Sequence, residues 1–346
     1  MLKRAGERLA GWRRTMILTH ERPDGDALGA AGAMKRVIET AGRQASVYVF
    51  GEVPPRYAFL DRMCGLDRWP AAGAAQLDGQ FDGILVVDTS SWSQIEPAVA
   101  YLRGSGRPRI VLDHHATPNE LFGRDAELIS LIDATAASAC SLVWRWCELM
   151  GWQVDETAAE ALFSGLITDT GWFRFSNTDA DTFRAAAAMV ERGCRPEVLY
   201  ARLYETWSHA RLRLKARLFD SLEVSRDGQL AVMCLTLADF AETGATQADT
   251  EELVNEPMSA ETVAVSVLLS EMDGGKIRVN LRSKAPDVCG LDVDVSAVAQ
   301  SLGGGGHRRA AGARMAGPLR DVKTKVAEAA HAAIERAMKS GGKTPK

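Results

Sequence analysis

Apolar residues in the first third of this chain fall in short runs with little polar interruption. Residues 14–19, 46–50, 83–87 and 110–112 are such runs, the pattern of strands buried on both faces. After the first run, small residues with Leu28, Met34, Val37 and Ile38 at helical spacing predict a helix. Buried strands separated by helices predict a parallel sheet with helices on both faces, and in such sheets ligands bind beyond the carboxyl ends of the strands. Further helices are predicted over 136–150, 157–166, 181–192 and 209–222, with 172–178 a loop or short strand. The C-terminal part changes character. Residues 230–235, 264–269 and 276–282 read as strands, the last two joined by the turn Asp273-Gly274-Gly275. A helix over 295–300 and an amphipathic one over 319–338 follow.

A chain of 346 residues exceeds one ordinary core. The expected organisation is an α/β parallel-sheet domain over 1–195, a helical connector over 196–222, a smaller mixed-sheet α/β domain over 223–338 and a disordered basic tail over 339–346. The net charge of −4 and a pI of about 5.9 argue against a protein that coats long nucleic acid by counterion release. They leave room for a small anionic substrate wherever a local cationic pocket or bound metal reverses the sign. Cys64, Cys140, Cys147, Cys194, Cys234 and Cys289 form no C-x-x-C pair and sit mostly in apolar segments, which predicts buried reduced thiols. No apolar stretch behind the basic N-terminus is long enough for a signal peptide, and none approaches the ~20 residues of a membrane span. A cytoplasmic protein is expected.

Chemistry concentrates where the apolar runs end. The fourth delivers Asp113-His114-His115, the third Asp88, and the first runs into His20, Asp24 and Asp26, where Pro23 and Gly25 break regular structure. A tight loop can aim those three side chains into one volume, a set suited to hard divalent ions. Capping of the following helix would account for Asp26 alone. With Asp169, these clusters hold enough ligands for two metals and one bridging carboxylate. Such a pair, ~3.5–4 Å apart, can bind a hydroxide and clamp the attacking and leaving oxygens of a phosphoryl displacement. Imidazole and carboxylate without thiolate favour Mn²⁺, with Mg²⁺ and Co²⁺ as alternatives. His307 closes the run Gly303-Gly304-Gly305-Gly306, whose bare backbone could approach a phosphate, with charge added by His307, Arg308 or Arg309. Arg174 is a second candidate for phosphate, and Trp172 and Phe173 are candidates either to stack a base or to pack in the core. His209 and His331 belong to no motif.

The order His20-x-x-x-Asp24-x-Asp26, Asp88, Asp113-His114-His115, Asp169 resembles the DHH phosphoesterase superfamily, and Gly303-Gly304-Gly305-Gly306-His307 resembles the signature of its DHHA1 domain. The resemblance spans nearly the whole chain. It is strongest to the NrnA-type group, through residues 22–29 and 168–178. What it implies is a two-metal phosphodiesterase that hydrolyses short oligonucleotides to mononucleotides and dephosphorylates 3′-phosphoadenosine 5′-phosphate, by in-line attack of a metal-bridging hydroxide. It further implies one ion held by His20, Asp24 and Asp88 and another by Asp26, Asp88, His114 and Asp169. His115 would face the scissile phosphate, supported by Asp113. Arg282 would contact the nucleotide, the C-terminal domain gripping its end across an interdomain cleft. Implied partners are short single-stranded RNA or DNA and nucleotides, with no long duplex and no membrane; a homodimer is compatible. The alternatives are a phosphodiesterase dedicated to signalling dinucleotides (pGpG, pApA or cyclic di-AMP) and a catalytically silent nucleotide-binding module. An inorganic pyrophosphatase shares the N-terminal motif order, but the glycine-histidine run speaks against it.

Overall fold

The computed structural model describes residues 1–70, 74–115 and 128–341. The chain divides into two compact units after Thr206. The first runs α1 (Leu2–Ala10), β1 (Arg14–Leu18), α2 (Gly25–Thr40), β2 (Gln44–Val49), α3 (Ala58–Cys64), β3 (Asp67–Arg68), β4 (Gly83–Val87), α4 (Val99–Gly104), β5 (Arg109–Asp113), β6 (Leu128–Ile132), α5 (Ala139–Met150), α6 (Glu156–Asp169), α7 (Ala180–Glu191) and α8 (Pro196–Tyr204). Its strands form the expected parallel sheet, in the order β3-β2-β1-β4-β5-β6. Ile17, Leu85, Val87, Ile110 and Leu112 point into a core shared with α2, α5 and α6. Their neighbours Met16, Leu18, Ile84, Val86 and Val111 point the other way, against Leu102 of α4 and the turns before it. Burial on both faces explains why these runs carry so little polar interruption. From β1 the chain builds outward on one side to β2 and β3, and on the other to β4, β5 and β6. The strand order therefore reverses between β1 and β4, which opens a crevice at their carboxyl ends.

The second unit runs α9 (His209–Asp220), β7 (Glu223–Val224), β8 (Leu230–Leu235), α10 (Leu237–Thr243), β9 (Val265–Met272), β10 (Lys276–Ser283), α11 (Pro286–Cys289), α12 (Val295–Ser301), β11 (Gly305–His307), β12 (Ala310–Ala316) and α13 (Leu319–Gly341). Its mixed sheet has the order β11-β12-β10-β9-β8-β7, with β8 and β9 parallel and the other pairs antiparallel. One face packs on α12 and α13, the other on α9 and α10.

Several expectations change in detail. The glycine run is no open loop: Gly305–His307 pairs with β12 as an edge strand. A Cβ on Gly304 would lie 2.1 Å from the Gly312 carbonyl oxygen, and one on Gly306, at φ +142°, would lie 2.6 Å from Ala311 Cα. These two are glycines because backbone packs on backbone there. Strand β6 was missed, since its burial alternates at the sheet edge and its apolar run is weaker. Helix α6 continues three residues past its predicted end, so Asp169 is the last residue of a helix rather than part of a loop. The connector region holds two helices, α8 and α9, with Ser208 capping the second through the Arg211 N–H. Helix α13 extends to Gly341, and the remainder of the predicted tail, 342–346, lies outside the described residues. All six cysteines are unpaired, with Cys234 and Cys289 half-buried and the others buried. Among the described residues, no helix is long and apolar enough to cross a membrane.

Candidate metal centre

The crevice between β1 and β4 is lined from both sides. Asp24 is the N-cap of α2, its Oδ1 accepting from the N–H groups of Asp26 and Ala27 at 3.0 and 3.1 Å. The capping role open to Asp26 thus falls to Asp24. Asp26 is instead 1% exposed and held by the start of α5, where Ala139 N–H donates to its Oδ2 at 2.6 Å and Cys140 N–H to its Oδ1 at 2.9 Å. Ser138 and Ser141 form the capping box that fixes this helix start. A carboxylate on two free N–H groups at a helix N-terminus is well placed electrostatically.

Asp88 follows β4 with φ +59°, a left-handed conformation that is costly for a residue with a Cβ. The turn directs both of its oxygens into the cluster. Oδ2 lies 3.4 Å from His20 Nε2, while Oδ1 lies 3.5 Å from His114 Nε2 and 3.7 Å from His115 Nδ1. Oδ1 is buried and makes no hydrogen bond of good geometry. His114 Nε2 also stands 3.6 Å from Asp26 Oδ2 and 3.8 Å from Asp169 Oδ2. Ligand atoms within 4.8 Å of one another form three groups: His20, Asp24 and Asp88; Asp26, His114 and Asp169; and Asp88, His114 and His115. The third competes with another bond, because His115 Nδ1 lies 2.8 Å from Asp113 Oδ1. With Nδ1–H donated to that buried carboxylate, Nε2 of the half-exposed ring is the nitrogen left free.

The crowding of carboxylates shows in their proton affinities. Burial, then the charges of Asp88 and Asp169, push Asp26 well above the carboxylate range. Burial likewise takes Asp169 up to about 6. Burial would raise Asp88 too, but the imidazoles of His114 and His20 that face it outweigh burial and leave the acid below its ordinary value. For His114 burial opposes protonation, yet Asp88, Asp26 and Asp169 together carry it up to about 9. Burial would raise Asp113, but its bond with His115 outweighs burial and lowers it, and the same bond raises the imidazole in turn. Protons thus take the place of cations among groups that cannot all be charged together. Hard oxygen and imidazole donors, no thiolate, and an orphaned buried carboxylate oxygen fit divalent cations.

The substrate candidates are less concentrated. Arg174 is exposed and donates from Nε to the Gly171 carbonyl at 2.8 Å. Trp172 and Phe173, at φ +60° and +62°, turn inward. Trp172 packs 5.0 Å from Tyr200, and Phe173 stacks on Phe183 at 5.2 Å, so packing is the use the structure shows for them. In the second unit, Arg282 is half-buried on β10, donates to the Leu281 carbonyl at 3.2 Å, and has its pKa lowered by burial. His307 is exposed at the end of β11. Arg308 pairs with Asp292 and Asp294, and Arg309 with Asp292, so neither is a free cation. Gly303 and Gly305 face open space. Two contributors were missed from sequence. The start of α5 was legible only as the capping pair Ser138 and Ser141. Asn177, whose amide donates to Ala137 O at 2.9 Å, Asp169 O at 3.1 Å and Asp169 Oδ2 at 3.4 Å, sits in a turn without periodic pattern.

Residues 14–166 match the DHH family, N-terminal domain, and residues 227–340 match the DHHA1 domain. A curated relative from Streptococcus mutans, a probable bifunctional oligoribonuclease and PAP phosphatase NrnA, is 29% identical over 298 residues, covering 86% of this chain and 88% of its own. The bifunctional oligoribonuclease and PAP phosphatase NrnA of Bacillus subtilis is 28% identical over 305 residues, with the same 86% and 88% coverage. An exopolyphosphatase-related protein from Bacteroides fragilis shares the fold, with a TM-score of 0.83 over 99% of this chain and 97% of its own at 22% identity.

Proposed function

We propose that the chain is a divalent-metal-dependent phosphoesterase, because residues 14–166 match the DHH family, N-terminal domain, and residues 227–340 match the DHHA1 domain. It hydrolyses short oligonucleotides to mononucleotides and removes the 3′-phosphate of 3′-phosphoadenosine 5′-phosphate. Relatives from Streptococcus mutans and Bacillus subtilis, matched over most of both chains, carry names for these two activities and support the substrates. The observation that carries the reading is the position of Asp88, one oxygen facing His20 and the other facing His114.

In this reading His20, Asp24 and Asp88 would hold one ion and Asp26, Asp88, His114 and Asp169 the other, with manganese the best match to the donors. Bound there, the ions would neutralise phosphoryl oxygens and acidify the attacking water. The chain's own residues do the rest. Asp88, fixed by its left-handed turn, sets the spacing between the two ligand groups. Asp113 fixes the His115 tautomer, so that Nε2 is turned to the phosphate as a hydrogen-bonding or proton-carrying group. Arg174, Arg282, the backbone of Gly303 to Gly306, and His307 are the proposed substrate contacts. The acidic pI and a basic supply limited to such local groups favour substrates of two to about five nucleotides. Purified protein with Mn²⁺ is offered a dinucleotide, longer RNA, 3′-phosphoadenosine 5′-phosphate, cyclic dinucleotide and pyrophosphate. Turnover of the first and third, abolished by chelation, is expected; turnover of pyrophosphate alone would overturn the reading.

A further inference from the structure

The ligand group around His114 has no backbone continuity. Asp26 comes from the start of α2, His114 from the end of β5 and Asp169 from the end of α6. Asp26 and Asp169 are two carboxylates whose ligand oxygens the fold places within 4.8 Å of each other and of the His114 ring nitrogen. Something must hold two such carboxylates at ligand spacing before a cation arrives. Asp26 is held by Ala139 and Cys140 at the start of α5. Among the described residues, no helix start holds Asp169.

We propose that Asn177 is the positioning residue for this ligand group, tying Asp169 to the helix start that grips Asp26. Its single amide nitrogen donates to the carbonyl of Ala137, to the carbonyl of Asp169 and to the Asp169 carboxylate. Ala137 precedes Ser138, the cap of α5, so one side chain bridges the segment that grips Asp26 and the segment that carries Asp169. The orientation of the amide is fixed by its partners, since all three are acceptors and only the nitrogen can serve them. The Asn177 carbonyl oxygen is buried and makes no hydrogen bond, so the donor end carries every contact of this amide. His20, Asp24 and Asp88 lie on other segments and make no hydrogen bond to Asn177 among the described residues. The effect of Asn177 is therefore confined to one of two metal sites. Groups that orient metal ligands typically change affinity by ~10–100-fold when lost.

This inference rests on the metal-dependent reading, and the test separates the two. Mn²⁺ binding to the full chain is measured by calorimetry for wild type, Asn177→Ala and Asn177→Leu, with melting temperature in chelator as a second readout. Leucine keeps the volume without a donor, so it reports if the alanine variant does not fold. The wild type is expected to bind two ions. In the variants one of these weakens by ~10–100-fold while the other is unchanged, and activity returns when Mn²⁺ is raised. Wild-type affinity at both sites in the variants would overturn the inference alone. So would loss of both sites together with a fall in the metal-free melting temperature, which marks Asn177 as a folding residue. A wild type that binds no Mn²⁺ would overturn the proposed function and this inference with it.

Discussion

Asp88 is the residue on which the most geometry converges. Its left-handed backbone aims both oxygens at histidines and leaves one of them without a hydrogen bond. Asp88→Asn is the informative change, because asparagine tolerates that conformation and keeps the shape, whereas alanine would add a backbone cost of ~1–2 kcal/mol. Activity should fall by on the order of 10³-fold, about 4 kcal/mol of transition-state stabilisation, with the melting temperature in chelator little changed. Phosphoesterase assay and thermal unfolding check it. The two adjacent histidines should separate. His114, facing three carboxylates, should on change to alanine weaken Mn²⁺ binding, whereas His115→Ala should slow turnover with both ions still bound. Equal loss of metal in both variants would contradict the division drawn from the Asp113 bond. Much of this was visible in the sequence, because acids and imidazoles at the ends of apolar runs announce themselves. What was invisible is the assignment of single atoms. That Asp24 caps α2 is local but turns on which of two nearby acids faces the helix start, whereas that Asp26 rests on α5 and that Asn177 reaches Ala137 depend on contacts between residues 40 to 114 positions apart.

At the scale of elements, the strands buried on both faces were legible from their runs, while β6 and β11 were not. A two-sided strand is written in the sequence by continuous apolar character; an edge strand of alternating burial or bare glycine carries almost no such signal. The glycines of β11 offer a test of what the element is for. Gly304→Ala and Gly306→Ala force a Cβ into the β12 backbone and should each destabilise the second unit by about 2 kcal/mol. Gly305 meets nothing within 4 Å, so Gly305→Ala should leave the melting temperature nearly unchanged. If the strand's backbone meets phosphate, that same change should raise KM for a dinucleotide severalfold. Unchanged stability and unchanged KM together would leave β11 a structural edge.

For the whole molecule, charge sets the expected pH dependence of stability and the expected substrate length. His114 is raised to about 9, so in the metal-free protein it contributes stability that is complete below its ordinary ~6.5 and is lost as pH rises through 9. Asp169, raised to about 6, also favours its protonated form when folded; that stability is present below its ordinary ~3.9 and lost as pH rises through 6. Both act in one direction, and chelator-treated protein should melt at progressively lower temperature from about pH 5 to 9. Bound metal replaces those protons, so Mn²⁺ should raise the melting temperature more at pH 8.5 than at pH 6; the reverse order would mean that the cluster does not take up the ions. Substrate length follows from the same balance. A net charge of −4 repels a polyanion at long range, and only local groups oppose it: the metal cluster and a few arginines, of which Arg308 and Arg309 are already paired. A dinucleotide presents little charge beyond the phosphates those groups can meet, whereas each further nucleotide adds one that the surface repels. Turnover of a 5′-phosphorylated dinucleotide should therefore exceed that of a long single strand, and the gap should narrow as salt rises from 50 to 300 mM and screens the long-range repulsion. Faster degradation of the long strand at low salt would require a basic track for its backbone and would overturn the proposed length preference.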